Sequence, residues 1–101
     1  MGALTYNRVK IQFDDRTLQH LQIVIIQKLR RGESFLLTWQ ISLESGGGRS
    51  SAWIHPHIPL YFEFSGKPSS INPVWLAALS SSANSSRGLL VLGEESVHAT
   101  R

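Results

Sequence analysis

The sequence predicts a single α+β domain with a mostly antiparallel sheet and two helices packed on one face of that sheet. Three observations support this class. Several segments alternate apolar with polar residues, whereas two others have helical spacing. Glycine and proline separate these segments. The chain has 101 residues, of which 42% are hydrophobic, so it can bury one compact core.

The first strand is predicted over residues 4–13, where apolar and polar side chains alternate. The phase of the alternation changes near Asn7, so we expect a bulge or a bend there. A helix follows over residues 16–31. Asp14 begins an acidic pair that is suited to its N-cap, and Gly32 is suited to a left-handed C-cap.

The remaining segments extend this order to β-α-β-β-β-α with one further candidate strand. The strands are predicted over residues 35–43, 50–55, 60–64 and, as the candidate, 89–92. The second helix starts at Asn72, a capping residue followed by proline, and ends within serine-rich residues 80–86. The domain then covers residues 1–92, and residues 93–101 are expected to form a frayed tail.

Several function classes are excluded or disfavoured by composition. The chain has no cysteine, which excludes disulfide scaffolds and thiolate metal sites. No apolar run approaches the ~20 residues of a membrane span, and no signal peptide is recognisable, so we expect a cytoplasmic protein without membrane contact. No set of nucleophile, base and orienting residue can be named. We therefore predict no catalytic residue and no cofactor.

Two histidines, His55 and His57, flank Pro56 at the end of a predicted strand. A metal site needs three or four ligands, and only Glu63 could reach across the hairpin as a third. The pattern favours a rigid turn with exposed imidazoles and no metal, and it leaves open whether these imidazoles contact a ligand. His20 is expected to lie on the solvent-exposed side of the first helix.

Nucleic-acid binding is the leading functional hypothesis. The net charge is +3, which permits contact with DNA. Tyr61 and Trp53 could stack bases on an open sheet face. The basic residues predicted to contact nucleic acid are Arg8, Lys10, Arg30, Arg31, Arg49 and Lys67.

The alternative hypothesis is a homo-oligomeric protein-interaction module without nucleic-acid contact. A sheet with both helices on one face leaves its other face open. That face would carry Leu36, Ile54 and Tyr61, and exposed apolar residues of this kind mark interfaces.

Four segments also carry a family resemblance. They are FDDRTLQHL (residues 13–21), KLRRGESF (28–35), WIHPHIPL (53–60) and ANSSRGL (83–89). Together they resemble a small actinobacterial family of unknown function, whose members are about as long as this chain and often carry the label ATP-dependent DNA ligase. The resemblance implies a DNA-associated role. No lysine of this chain begins the Lys-x-Asp-Gly motif that carries adenylate in ligases, so the implied role is accessory.

Overall fold

A computed structural model of the chain describes residues 1–96, which form two three-stranded sheets and two α-helices. The strands are β1 (Gly2–Tyr6), β2 (Val9–Phe13), β3 (Phe35–Gln40), β4 (Arg49–Ile54), β5 (Leu60–Glu63) and β6 (Leu89–Leu90). The α-helices are α1 (Asp15–Arg30) and α2 (Pro73–Ala83), and short 3-10 turns cover Leu43–Ser45 and Glu94–Ser96.

The predicted α+β class is confirmed, with the strands divided between two sheets. Sheet A has the order β2-β1-β5, and all its pairs are antiparallel. Sheet B has the order β4-β3-β6, in which β3 pairs antiparallel with β4 and parallel with β6. One core cluster contains buried residues from both sheets and both helices. No helix within residues 1–96 is long and apolar enough to cross a membrane.

The first predicted strand is a hairpin, β1–β2, and the expected bulge is its turn. Asn7 and Arg8 have φ values of 50° and 73°, the left-handed conformation that a two-residue type I′ turn needs at both positions. The turn explains the change of phase in the sequence. It reverses the chain, so that Leu4 pairs with Ile11 and these two residues face the core together with Tyr6 and Phe13.

Both predicted caps of α1 are confirmed. The Asp14 side chain accepts hydrogen bonds from the amide and the hydroxyl of Thr17. At the other end Gly32 has φ 74°, and the Glu33 amide donates to the Lys28 carbonyl at 3.1 Å. This bond closes a Schellman motif.

The second helix begins at the predicted cap and ends at Ala83, within the serine-rich segment that was predicted to end it. Asn72 accepts hydrogen bonds from two amides of the first turn. Within the last turn, the Ser82 hydroxyl donates to the Gly88 carbonyl at 2.9 Å and accepts from the Leu90 amide at 2.8 Å. These bonds fix the confirmed final strand, β6, beside β3.

Two further predictions about strands were wrong. The second predicted strand was extended to residue 43, but the corresponding strand, β3, ends at Gln40 and Leu43 is 92% exposed in a turn. Ile54 was placed on the open face, yet it is fully buried because β4 pairs it with buried Phe35. The register of β4 thus turns Ile54 inward and Trp53 outward, and the outward position of Trp53 agrees with its predicted place on an open sheet face.

We predict that Gly88→Ala destabilises the protein much more than Gly32→Ala. Both glycines have positive φ, so alanine costs about 1–2 kcal/mol of backbone strain at either position. A Cβ at Gly88 would also lie 2.5 Å from the Leu36 carbonyl oxygen, whereas nothing lies within 4 Å at Gly32. Urea unfolding should show a lower free energy of unfolding for Gly88→Ala by at least about 1 kcal/mol relative to Gly32→Ala. Equal losses would contradict the close approach of Gly88 to β3.

Candidate nucleic-acid interface

The six predicted basic residues are spread over several surfaces. Arg30 and Arg31 lie at the C-terminal end of α1, where Arg31 is paired with Glu33 at 3.8 Å. Lys67 lines a groove with Asp15 near the opposite end of this helix. A helix of this length separates its two ends by about 22 Å. These three cations therefore do not form one patch.

The other three predicted cations come from different elements. Arg8 occupies the hairpin turn, and Lys10 points outward from β2 on sheet A. Arg49 is exposed at the start of β4 on sheet B. Of the six, Arg49 lines a groove together with a second arginine, Arg87.

Three cross-strand pairs cover the side of sheet B that faces away from the core, which we call the outer face of sheet B. Side chains alternate along a strand, so the neighbours of buried Phe35 and Leu37 point outward. The pairs are Leu36 with Trp53, Thr38 with Ser51, and Gln40 with Arg49. The Thr38 and Ser51 hydroxyls hydrogen bond each other at 2.7 Å.

A groove of about 550 Å³ runs along this outer face. Arg49 borders it from β4 and Arg87 from the loop before β6, while Leu36 and Leu90 supply apolar lining. Within residues 1–96 neither arginine has an ion-pair partner, and no carboxylate lines the groove. Two exposed guanidinium groups therefore border one groove without internal neutralisation.

An exposed indole extends the same surface. Trp53 is 60% exposed and lines a second, smaller groove that shares Leu36 and Ser86 with the first. Trp53 and Arg49 are four residues apart on β4, or about 13 Å along the strand. The outer face of sheet B thus offers a ring for stacking at one end and cations at the other.

Arg87 was not among the basic residues predicted to contact nucleic acid. Arg87 reaches the groove because the parallel β3–β6 pairing places the preceding loop beside this face. That pairing joins residues about half a chain apart, and no local pattern signals it. Of the predicted interface residues, Leu36 lines this groove, and Tyr61 lies exposed on sheet A.

The two histidines form a turn of their own. The Nδ1 atom of His55 accepts a hydrogen bond from the His57 amide at 3.1 Å, and the ring centroids are 5.2 Å apart. The His55 amide donates to the Tyr6 hydroxyl at 2.7 Å, which joins the end of β4 to sheet A. Over the part of the chain that the structure describes, no group of three potential metal ligands occurs.

His20 is fully buried, contrary to the predicted solvent-exposed position. Its ring stacks on Trp75 with centroids 4.3 Å apart. Its Nδ1 lies 2.8 Å from the Arg16 carbonyl, which can only accept, and its Nε2 accepts the Asn72 amide at 2.9 Å. Both ring nitrogens are therefore occupied in holding α1 to the start of α2, so His20 is a structural residue.

A salt bridge extends this network toward the C-terminal segment. Arg16 donates from Nε and Nη2 to both carboxylate oxygens of Glu94, at 2.8 Å each, and Asn72 donates to Glu94 from Nδ2. The hydrogen bonds from Arg16 and then Asn72 lower the pKa of Glu94 from an ordinary value of 4.5 to about 2. Glu94 was placed in a frayed tail, but these bonds anchor it. Residues 97–101 of that predicted tail lie outside the described residues.

A second carboxylate fixes the loop after β5. Asp15 accepts hydrogen bonds from the amides of Ser65 and Gly66 at 2.7–3.1 Å. The bond from the Ser65 amide, supported by that from Gly66, lowers the pKa of Asp15. Asp15 is thereby committed to the loop and is not a free acid.

Comparison with known proteins gives one match. The model of a family described as Domain of unknown function (DUF7882) matches residues 1–94. No curated protein and no solved structure matches the chain. The match covers every element that builds the outer face of sheet B, and it extends to the anchored Glu94.

The salt bridge of Glu94 predicts a specific loss of stability in acid. Because its pKa is lower in the folded protein than its ordinary value of 4.5, the stabilisation is complete above that value and disappears as the pH falls toward 2. Between about pH 5 and pH 2.5, the melting temperature of Glu94→Gln should fall less than that of the wild type. Glu44→Gln, which removes an exposed carboxylate, should keep the wild-type slope. Parallel slopes for all three proteins would contradict the assignment.

Proposed function

We propose that this chain is a non-enzymatic module that binds single-stranded DNA through the outer face of sheet B. The chain belongs to the family described as Domain of unknown function (DUF7882), whose model matches residues 1–94. The observation that carries the proposal is the groove bordered by Arg49 and Arg87, without a carboxylate in its lining.

The two arginines supply the affinity for a phosphate backbone. A guanidinium matches the geometry of two phosphate oxygens and is less strongly hydrated than an ammonium group. Arg49 and Arg87 have no ion-pair partner in the described part of the chain, so phosphate would not have to displace an internal carboxylate. The hydroxyls of Thr38 and Ser51 line the same groove and hydrogen bond each other. The hydroxyl that accepts in this bond keeps its own proton and can donate it to a phosphate oxygen.

Trp53 supplies the preference for a single strand. An exposed ring on a sheet stacks with an unpaired base, whereas the bases of a duplex already stack on each other. The separation of about 13 Å between Trp53 and Arg49 leaves room for a nucleotide base on the ring and for phosphates beyond it. Within residues 1–96 this face is built from the strands of sheet B and the loop before β6, and not from a helix of the kind that enters a major groove.

The proposed surface includes one of the six basic residues that were predicted from sequence to contact nucleic acid. That residue is Arg49, and Arg87 is added to it. Arg8, Lys10, Arg30, Arg31 and Lys67 lie on other surfaces and serve as comparisons. The ligase label of the resembling family is consistent with an accessory role beside an enzyme of DNA metabolism in the cytoplasm. In this role the chain binds the DNA strand and transfers no adenylate, because it lacks the Lys-x-Asp-Gly motif. The proposal therefore includes no cofactor.

Removing the two groove arginines should weaken binding and reduce its dependence on salt. Fluorescence anisotropy with labelled oligothymidylate at about 50 and about 200 mM salt should show a steep fall in affinity for the wild type. Each single-strand phosphate contact adds about 0.7 to the slope of log affinity against log salt, so the double variant Arg49→Ala/Arg87→Ala should lose about 1.4.

The control is Arg30→Ala/Arg31→Ala, which removes the same charge from the end of α1. It should retain the wild-type slope. If both double variants lose the same slope, binding reflects net charge and the assigned surface is wrong. If the wild type binds neither oligothymidylate nor duplex at the lower salt, the proposed function is wrong.

Replacing Trp53 should remove the stacking contribution. Base stacking on an aromatic ring contributes about 1–3 kcal/mol, so Trp53→Ala should weaken oligothymidylate binding by about 5- to 150-fold. Trp53→Phe retains a ring and should lose less. Titration should also quench tryptophan fluorescence in the wild type much more than in Trp53→Phe, because Trp75 is buried and Trp39 is partly buried. Equal quenching would show that Trp53 does not contact DNA.

A further inference from the structure

We infer that the side of sheet A facing away from the core is a contact surface for a second copy of this chain. This side, the outer face of sheet A, carries two rows of side chains. They are Lys10, Thr5 and Tyr61 in one row, and Gln12, Ala3 and Glu63 in the other. Both rows are set by the pairing of central β1 with its two neighbours.

Opposite charges occupy diagonal corners of this face. Lys10 belongs to β2 and Glu63 to β5, with β1 between them. Strand spacing and residue rise place their Cβ atoms about 12 Å apart. Within residues 1–96 neither residue takes part in an ion pair. The two charges are therefore exposed and free for a partner.

A twofold axis lying in the plane of the face makes this arrangement self-complementary. The four corners of the face are Lys10, Tyr61, Glu63 and Gln12. When the axis runs along the diagonal from Tyr61 to Gln12, Lys10 of each copy lies opposite Glu63 of the second copy. A twofold contact of this kind repeats each pair, so two ion pairs form from one pair of residues. Tyr61 then lies close to the axis.

Tyr61 supplies the aromatic contact across the axis. It is 64% exposed and pairs with Thr5 of the central strand, whereas the other small residue of that strand, Ala3, is already buried at 6% exposure. Because Tyr61 lies close to the axis, the Tyr61 rings of the two copies meet each other beside the two Thr5 side chains. Tyrosine is enriched in interfaces because it buries a large ring and keeps a polar hydroxyl.

The outer face of sheet B is not self-complementary in charge. It carries Arg49 and Arg87 and no carboxylate in its groove, so a second copy would present like charges to it.

The outer face of sheet A is narrow, with three short strands. Its area is well below the ~800 Å² per partner of a standard interface. The expected dimer is accordingly weak, with a dissociation constant in the micromolar range or above.

Sedimentation equilibrium of the full chain over a range of concentrations tests the inference through a charge exchange. Lys10→Glu and Glu63→Lys should each weaken the dimer at least about fivefold, because each places two like-charged pairs across the axis. The double variant Lys10→Glu/Glu63→Lys should restore it, since the exchanged charges meet again between copies. Arg8→Glu makes the same charge change in the hairpin turn and should leave the dimer intact.

Three outcomes would overturn the inference. They are a wild type that stays monomeric at the highest concentration, a double variant that dimerises no better than the single ones, and an effect of Arg8→Glu equal to that of Lys10→Glu. Circular dichroism checks folding in every variant, and the altered side chains are all exposed. Because this face is separate from Arg49, Arg87 and Trp53, loss of the dimer and loss of DNA binding are independent results.

Discussion

The hydrogen bond from the Asn72 amide to buried His20 determines how the two helices meet. His20 can make it because its other nitrogen is held by the Arg16 carbonyl and its ring is stacked on Trp75. With the start of α2 fixed, its last turn brings Ser82 to the strand that follows. Ser82 then holds β6 beside β3, and the loop before β6 brings Arg87 to the candidate groove. The proposed DNA-binding surface is therefore supported by a polar contact between the two helices.

The local features of the fold were predictable from sequence, whereas the nonlocal ones were not. The caps at Asp14, Gly32 and Asn72 depend on residues within one turn, and all three are confirmed. The phase of β4 is not encoded in the same way, because Ser50, Ser51 and Ala52 give little contrast in hydrophobicity, and pairing with β3 decides it. Likewise, the sequence around His20 resembles an exposed helix surface. Its partner Asn72 is 52 residues away.

In the candidate site, too, individual residues were predictable from sequence, whereas their placement relative to one another was not. The sequence alone predicted Arg49 as a contact residue and Trp53 as a stacking residue. It did not indicate that Arg87 lies near them, or that Arg30, Arg31 and Lys67 lie on other surfaces. The two sheets also differ in their charge. The outer face of sheet A carries one charge of each sign, whereas the groove of sheet B is bordered only by positive charges. A self-contact and an anionic ligand can thus use different faces of a small domain.

The position of β1 has a consequence for the order of folding. Its hairpin with β2 is local, but its other edge pairs with β5, which follows only after more than half of the chain. A two-stranded hairpin alone is marginally stable, and nonlocal pairing closes slowly because a long loop must be ordered first. The β3–β4 hairpin lies inside that loop. We therefore expect sheet B to begin forming before sheet A is complete, with the third strand of sheet A joining a chain whose other half is already partly ordered.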